Sequence, residues 1–108
     1  DNTTPIGFGF EREVDVFFDS SPVFRLAAGR GQGLQRVAWF STAAPLRSGW
    51  ALGQQYLYDG VAVVEAAVGR GRVVACGPQI TFRAQSHGTF KFLFNAIFYG
   101  RAEAVRFE

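Results

Sequence analysis

One short stretch of this chain is unusually rich, for its length, in side chains able to do chemistry. Gln79-Ile80-Thr81-Phe82-Arg83-Ala84-Gln85-Ser86-His87-Gly88 gathers amide, hydroxyl, guanidinium and imidazole groups between two apolar segments. Gln79, Thr81, Arg83, Gln85 and His87 therefore form a candidate contact surface, rich in the donors and acceptors that a peptide or a glycan would need. Arg83 beside Gln85 suits a carboxylate, because the planar guanidinium pairs with one through two parallel hydrogen bonds. The other reading of Arg83 is a tie from the loop to backbone carbonyls or to a neighbouring acid. His87 is the single histidine and Cys76 the single cysteine, so the several His or Cys ligands of a zinc site are not to be had within this chain. A lone histidine ahead of a helix reads as a capping or packing residue. Cys76 and His87 together would make a nucleophile and its base. Cys76, however, stands inside an apolar run, where a cysteine behaves as a small buried hydrophobe. Glu11, Glu13 and Asp15 alternate as the solvated face of a strand would, and no carboxylate pair is spaced for acid–base work. Trp39, Trp50, Tyr56 and Tyr58 could stack on a sugar or fill a core.

The loop needs elements on both sides to hold it. Arg72 to Cys76 is a short β-branched strand, closed by Gly77 and by Pro78, which has no N–H for a ladder. Beyond the loop, Phe90, Leu93, Phe94, Ile97 and Phe98 fall at i, i+3, i+4, i+7 and i+8, which predicts a helix with this stripe against a core. Ser86 or Thr89 can cap its start, and Gly100 stands where a left-handed residue would end it. Upstream, Asp1 to Phe10 reads as an entry loop whose aromatics pack down. Val14 to Phe18 and Val23 to Leu26 read as strands, with Asp19-Ser20-Ser21-Pro22 turning between them as in a hairpin. Gly29-Arg30-Gly31-Gln32-Gly33 has the spacing of neither the dinucleotide fingerprint nor the phosphate loop, and no helical pattern follows, so a flexible turn is expected. Gln35 to Ser41 is a strand apolar on both faces, both expected to be covered. Pro45 to Tyr58 is a connection, long enough with its flanks for a parallel crossover. Val61 to Val68 and Arg72 to Cys76 make an antiparallel pair around Gly69-Arg70-Gly71. The expected fold is mixed α/β (α+β), a sheet of about five or six strands with the C-terminal helix across one face. A β-sandwich capped by that helix is the alternative.

With 108 residues, 48% of them hydrophobic, the chain can bury one core, and residues 1–108 read as a single domain. The net charge of +2 comes from scattered residues without a basic run, which points away from nucleic acid. No apolar stretch is long enough for a bilayer and no charged-then-apolar leader opens the sequence, so no membrane partner is expected. One cysteine allows no internal disulfide. A start at Asp1 and the lack of any Met predict a processed or excised portion of a longer protein.

Three stretches carry a family resemblance. They are Val14-Asp15-Val16-Phe17-Phe18-Asp19-Ser20-Ser21-Pro22-Val23-Phe24, then Pro45-Leu46-Arg47-Ser48-Gly49-Trp50, and above all Gly77-Pro78-Gln79-Ile80-Thr81-Phe82-Arg83-Ala84-Gln85-Ser86-His87-Gly88-Thr89-Phe90-Lys91. Over nearly its whole length the chain resembles the C-terminal region of large bacterial proteins of the zinc carboxypeptidase A-type peptidase family. The resemblance implies a parent whose N-terminal peptidase domain carries the zinc and whose C-terminal part is a class I glutamine-amidotransferase-like α/β domain, with this chain as its closing portion. In such a domain the last core strand runs into a catalytic His and Glu; Thr81 and Arg83 stand there instead. No catalytic residue, metal ligand or cofactor is thus carried onto this chain. The implied role is a non-catalytic accessory domain of a metallocarboxypeptidase-like protein, in contact with the rest of the parent polypeptide, in the periplasm or outside the cell. A self-standing sugar- or peptide-binding module using the loop 79–88 is the second expectation, and a degenerate hydrolase using Cys76 and His87 the third.

Overall fold

The computed structural model describes residues 1–27, 32–102 and 105. Its centre is the Val-rich strand β2, Val61–Val68, paired antiparallel with β3, Gly71–Cys76. Gly69, at φ 58°, takes the left-handed place of the tight turn between them, which a glycine occupies without steric cost. Strand β1, Leu34–Trp39, lies antiparallel on the other edge of β2, its register shifted on either side of Ala38. The sheet order is β1-β2-β3. Among the described residues a single α-helix, α1, covers Phe90–Tyr99. Ile6, Val37, Val63 and Phe92 form the buried core, with Phe10, Val14, Val74, Cys76, Ile80 and Ala96 packed against it.

The sheet is therefore three-stranded and wholly antiparallel, in place of the five- or six-stranded mixed sheet or the sandwich expected from the sequence. Val14 to Phe18 belongs to no strand. Its Phe17 carbonyl accepts a hydrogen bond from the Gln79 N–H at 3.0 Å. Val23 to Leu26 contributes one bridge, Phe24 to Val61, so the two segments make no hairpin. The reason is competition for the same edge. Cys76 pairs with Val63 and the chain then leaves β2 at Pro78, so Phe24 takes the next place along, exchanging two bonds of 2.9 Å with Val61. Close approach at that corner requires Gly77, where a Cβ would lie 2.0 Å from the Pro22 carbonyl oxygen.

The long connection makes no crossover. Phe40 N–H donates to Gly60 and Asp59 N–H to Phe40, each at 2.9 Å, which folds the chain straight back beside β1 through a 3-10 turn at Gln54–Leu57. The strand expected over Gln35 to Ser41 is an edge strand in which Val37 alone is buried, not a strand covered on both faces. Arg36 lies over the Trp39 ring at 4.5 Å and pairs with Asp59 at 2.7 Å. The turn expected over Gly29–Gly33 falls partly outside the described residues; Gly33, within them, has φ 81°.

Helix α1 is rotated from its expected pose. Phe92, 2% exposed, faces the core, and Ile97 and Phe98 of the expected inner stripe are 69% and 79% exposed. The entry segment sets this choice. Buried Asn95 donates from Nδ2 to the carbonyls of Ile6 and Phe8, at 2.9 and 2.8 Å. Phe10 stacks on Phe92 with centroids 4.2 Å apart, and Lys91 Nζ donates to the Gly9 carbonyl. The helix ends are also made differently: Gly100 stays right-handed at φ −59°, and Thr89 makes no capping bond. Its hydroxyl, buried, reaches the Ile80 and Ser86 carbonyls at 2.6 and 2.9 Å instead.

Candidate contact surface

The loop 79–88 is held from inside by its backbone and by one aromatic pair. Phe82 stacks nearly parallel on Phe17 at 4.6 Å, and Ser86 Oγ donates to the Gln79 carbonyl at 3.3 Å. Two short 3-10 turns, Phe82–Ala84 and His87–Thr89, compress the segment before α1. Arg83 and Ala84 both take left-handed backbone, at φ 46° and 55°. For residues with a Cβ this region costs on the order of 1 kcal/mol or more each.

Of the five residues in the expected surface, Thr81, Arg83, Gln85 and His87 are exposed and Gln79 is half-buried. Among the described residues their side chains make no hydrogen bonds to one another; only backbone joins two of them, the His87 N–H donating to the Gln85 carbonyl at 2.9 Å. The Arg83 guanidinium lies 5.1 Å from the centre of the Phe82 ring, neither tying the loop to an acid nor forming an ion pair among the described residues. The His87 ring sets Nε2 at 2.8 Å from the Ala84 carbonyl and leans on Phe90 at 5.1 Å. Cys76 is half-buried on the core side, and burial pushes its thiol above the ordinary value of 9.0. No hydrogen bond joins Cys76 to His87 among the described residues. Of the aromatics that could fill a core or stack on a sugar, Trp50, Tyr56 and Tyr58 are exposed, as Leu52 beside them is. Glu11, Glu13 and Asp15 are exposed too, although the segment bearing the last of them is not a strand; Asp15 lies 3.6 Å from Arg47. No group of three or more His, Cys, Asp or Glu able to hold a metal occurs among the described residues.

A second polar place went unnoticed in the sequence. Glu65, inside β2, is buried and pairs through Oε1 with Arg72 Nη1 at 2.8 Å. The two line a cleft of about 400 Å³ with Gly33, Leu34, Gln35 and Ala67. A single acid amid VAVVEAAV, with an arginine just beyond the hairpin turn, was its signal. No protein-family model, curated protein or solved structure matches the chain.

Proposed function

We propose that this chain is a non-catalytic accessory domain that packs against the rest of a larger polypeptide through the outer side of α1. The observation that carries this reading is the exposed row Leu93, Phe94, Ile97 and Phe98 on a helix with no charged residue from Phe92 to Gly100. Soluble monomers rarely leave apolar patches of more than roughly a few hundred Å² open to water. An uncharged surface calls for an uncharged partner, so the occupant is an apolar element of the parent. The resemblance to the C-terminal region of zinc carboxypeptidase A-type proteins supplies the parent in this reading: zinc and proteolysis belong to its peptidase domain, in the periplasm or outside the cell.

Two measurements test the proposal. The chain, given zinc and peptides with free C-terminal residues, is expected to release no amino acid, and clear turnover overturns the non-catalytic role. At roughly micromolar concentration it is expected to self-associate and to bind an apolar-surface dye, as open patches of this kind do. The double variant Ile97→Glu, Phe98→Glu should be monomeric and dye-silent. A wild-type chain that is already both removes the contact role. The second reading, a sugar- or peptide-binding module, draws support from the exposed Thr81, Arg83 and Gln85 and from exposed Trp50 and Tyr56. Titration with glycan and peptide pools should then shift the backbone amides of residues 79–88, and unmoved amides end that reading.

A further inference from the structure

Along an antiparallel strand the backbone groups of successive residues point alternately toward the neighbouring strand and away from it. The Gly77 N–H donates to the Ala62 carbonyl at 2.8 Å, and this fixes the alternation in β3. Gly71, Val73 and Ala75 turn their N–H and C=O groups to β2, whereas Arg72, Val74 and Cys76 turn theirs outward. No other backbone among the described residues bonds to these three, because β3 is an edge of the sheet. The opposite edge is protected. On β1 the Val37 carbonyl accepts from the Asp1 amino group, and the register shifts on either side of Ala38. β3 has neither device: its register runs unbroken from Gly71 to Cys76, no proline interrupts it, and its one charge, on Arg72, is paired with Glu65 at 2.8 Å. An unbroken, mostly apolar, uncovered edge is a template for another strand.

We propose that β3 pairs antiparallel with β3 of a second copy of this chain, joining the two sheets edge to edge about a two-fold axis at Val74. Self-complementarity selects this occupant. With the axis at Val74, each Val74 faces the other and each Arg72 faces the second copy's Cys76, so every outward N–H and C=O of the strand finds a mate. An axis at Val73 would set Cys76 against the turn residue Arg70, and one at Ala75 would set Arg72 against Pro78, which has no N–H. Charge agrees with the same register. Arg72 meets a cysteine and never another arginine, and each Arg72 keeps its Glu65. On the other face Val73, 51% exposed in the single chain, comes to lie opposite the second copy's Ala75. A short ladder with little side-chain burial is weak, so the pair forms at roughly 0.1–1 mM rather than at the micromolar level. The edge needs nothing from the outer side of α1 and stands or falls without it.

The test uses the Ile97→Glu, Phe98→Glu chain, in which contacts through the outer side of α1 are removed. Sedimentation from roughly 10 μM to roughly 1 mM should show monomer passing to dimer. Over the same range the N–H groups of Arg72, Val74 and Cys76 should gain hydrogen-exchange protection, whereas those of Val73 and Ala75, already bonded to β2, should not change. Val73→Lys, at an exposed position, should weaken pairing at least about tenfold, because it sets two like charges diagonally across the new ladder. An equal mixture of the Val73→Lys and Val73→Glu chains should restore pairing, which a chain that had merely lost its fold could not do. A chain that stays monomeric to roughly 1 mM overturns the pairing. A dimer without the alternating protection overturns the edge as its site. Protection that appears on adding an extended Val-Thr peptide, and not on concentration, overturns the second copy as the occupant.

Discussion

The inner side of α1 and its outer side differ less in composition than in company. Phe92, Asn95 and Ala96 look inward, and Asn95 is a polar residue. Leu93, Phe94, Ile97 and Phe98, more apolar as a set, look outward. Apolar content thus did not choose the face. The inner side has what the outer side lacks: the Ile6 and Phe8 carbonyls, which need a donor, and the Phe10 ring, which stacks on Phe92. An unpaired buried carbonyl costs about as much as a sizeable apolar contact gains, so satisfying two with one amide can outweigh an extra apolar side chain. The same contrast extends beyond the helix. The seam between entry segment, β2 and inner α1 is closely packed, whereas the loop 79–88 and outer α1 face outward.

Substitutions can break this contrast. The largest effect is expected at Phe92: truncation to Ala should cost about 3–5 kcal/mol in a denaturant melt, the usual loss for a buried phenylalanine. The matching change Phe98→Ala should stay within about 0.5 kcal/mol, as exposed positions do. Equal losses at the two sites would abolish the distinction between the sides. Asn95→Ala comes next. It strands two carbonyls and should cost about 1–3 kcal/mol, and Asn95→Leu should not restore it, since a larger apolar group still supplies no donor. A full rescue by leucine would mean that packing, not hydrogen bonding, orients the helix.

Smaller effects sharpen the outward half. Ala84→Gly should raise stability by about 1 kcal/mol in the same melt, because glycine holds a φ of 55° without strain. A loss instead would show that the left-handed turn is not strained. The least effect is expected from pH at Cys76, the end of β3 packed against the core. Burial raises its folded-state pKa above 9.0, so the folded protein holds the thiol proton more tightly than the unfolded chain. That contribution is intact below pH 9.0 and is lost as pH rises through the folded-state value. The urea midpoint should therefore fall between about pH 8 and about pH 10, and less so in Cys76→Ala. Alkylation of the native thiol should be slow at the lower pH. Identical pH profiles for the two proteins would mean that the thiol is not buried against the core.

Local pattern reached some of this and missed the rest for definite reasons. The hairpin around Gly69 and a helix beginning at Phe90 follow from alternation, turn chemistry and helical spacing, all written within a few residues. Val14 to Leu26 also has the composition of strands, yet no local signal says that Phe24 finds a partner on β2 and Phe17 a partner in the loop. Strand propensity describes a residue fit for a sheet, not the presence of a free edge. The polar loop was visible as a cluster of residue types. The Phe17 ring that holds Phe82, next to the left-handed turn at Arg83 and Ala84, is distant in sequence, although the rings beside Arg83 and His87 are the nearby Phe82 and Phe90. The Glu65 cleft needed three strands in register before it existed.

What the sequence by itself determined is the set of short-range elements: one tight hairpin, one closing helix, and a polar loop between the last strand and that helix. Tertiary structure decided the number of strands, which side of α1 is buried, and which edge of the sheet stays open. Each of these depends on which distant backbone groups compete for the same hydrogen bonds, and that contest is settled only when the chain has folded.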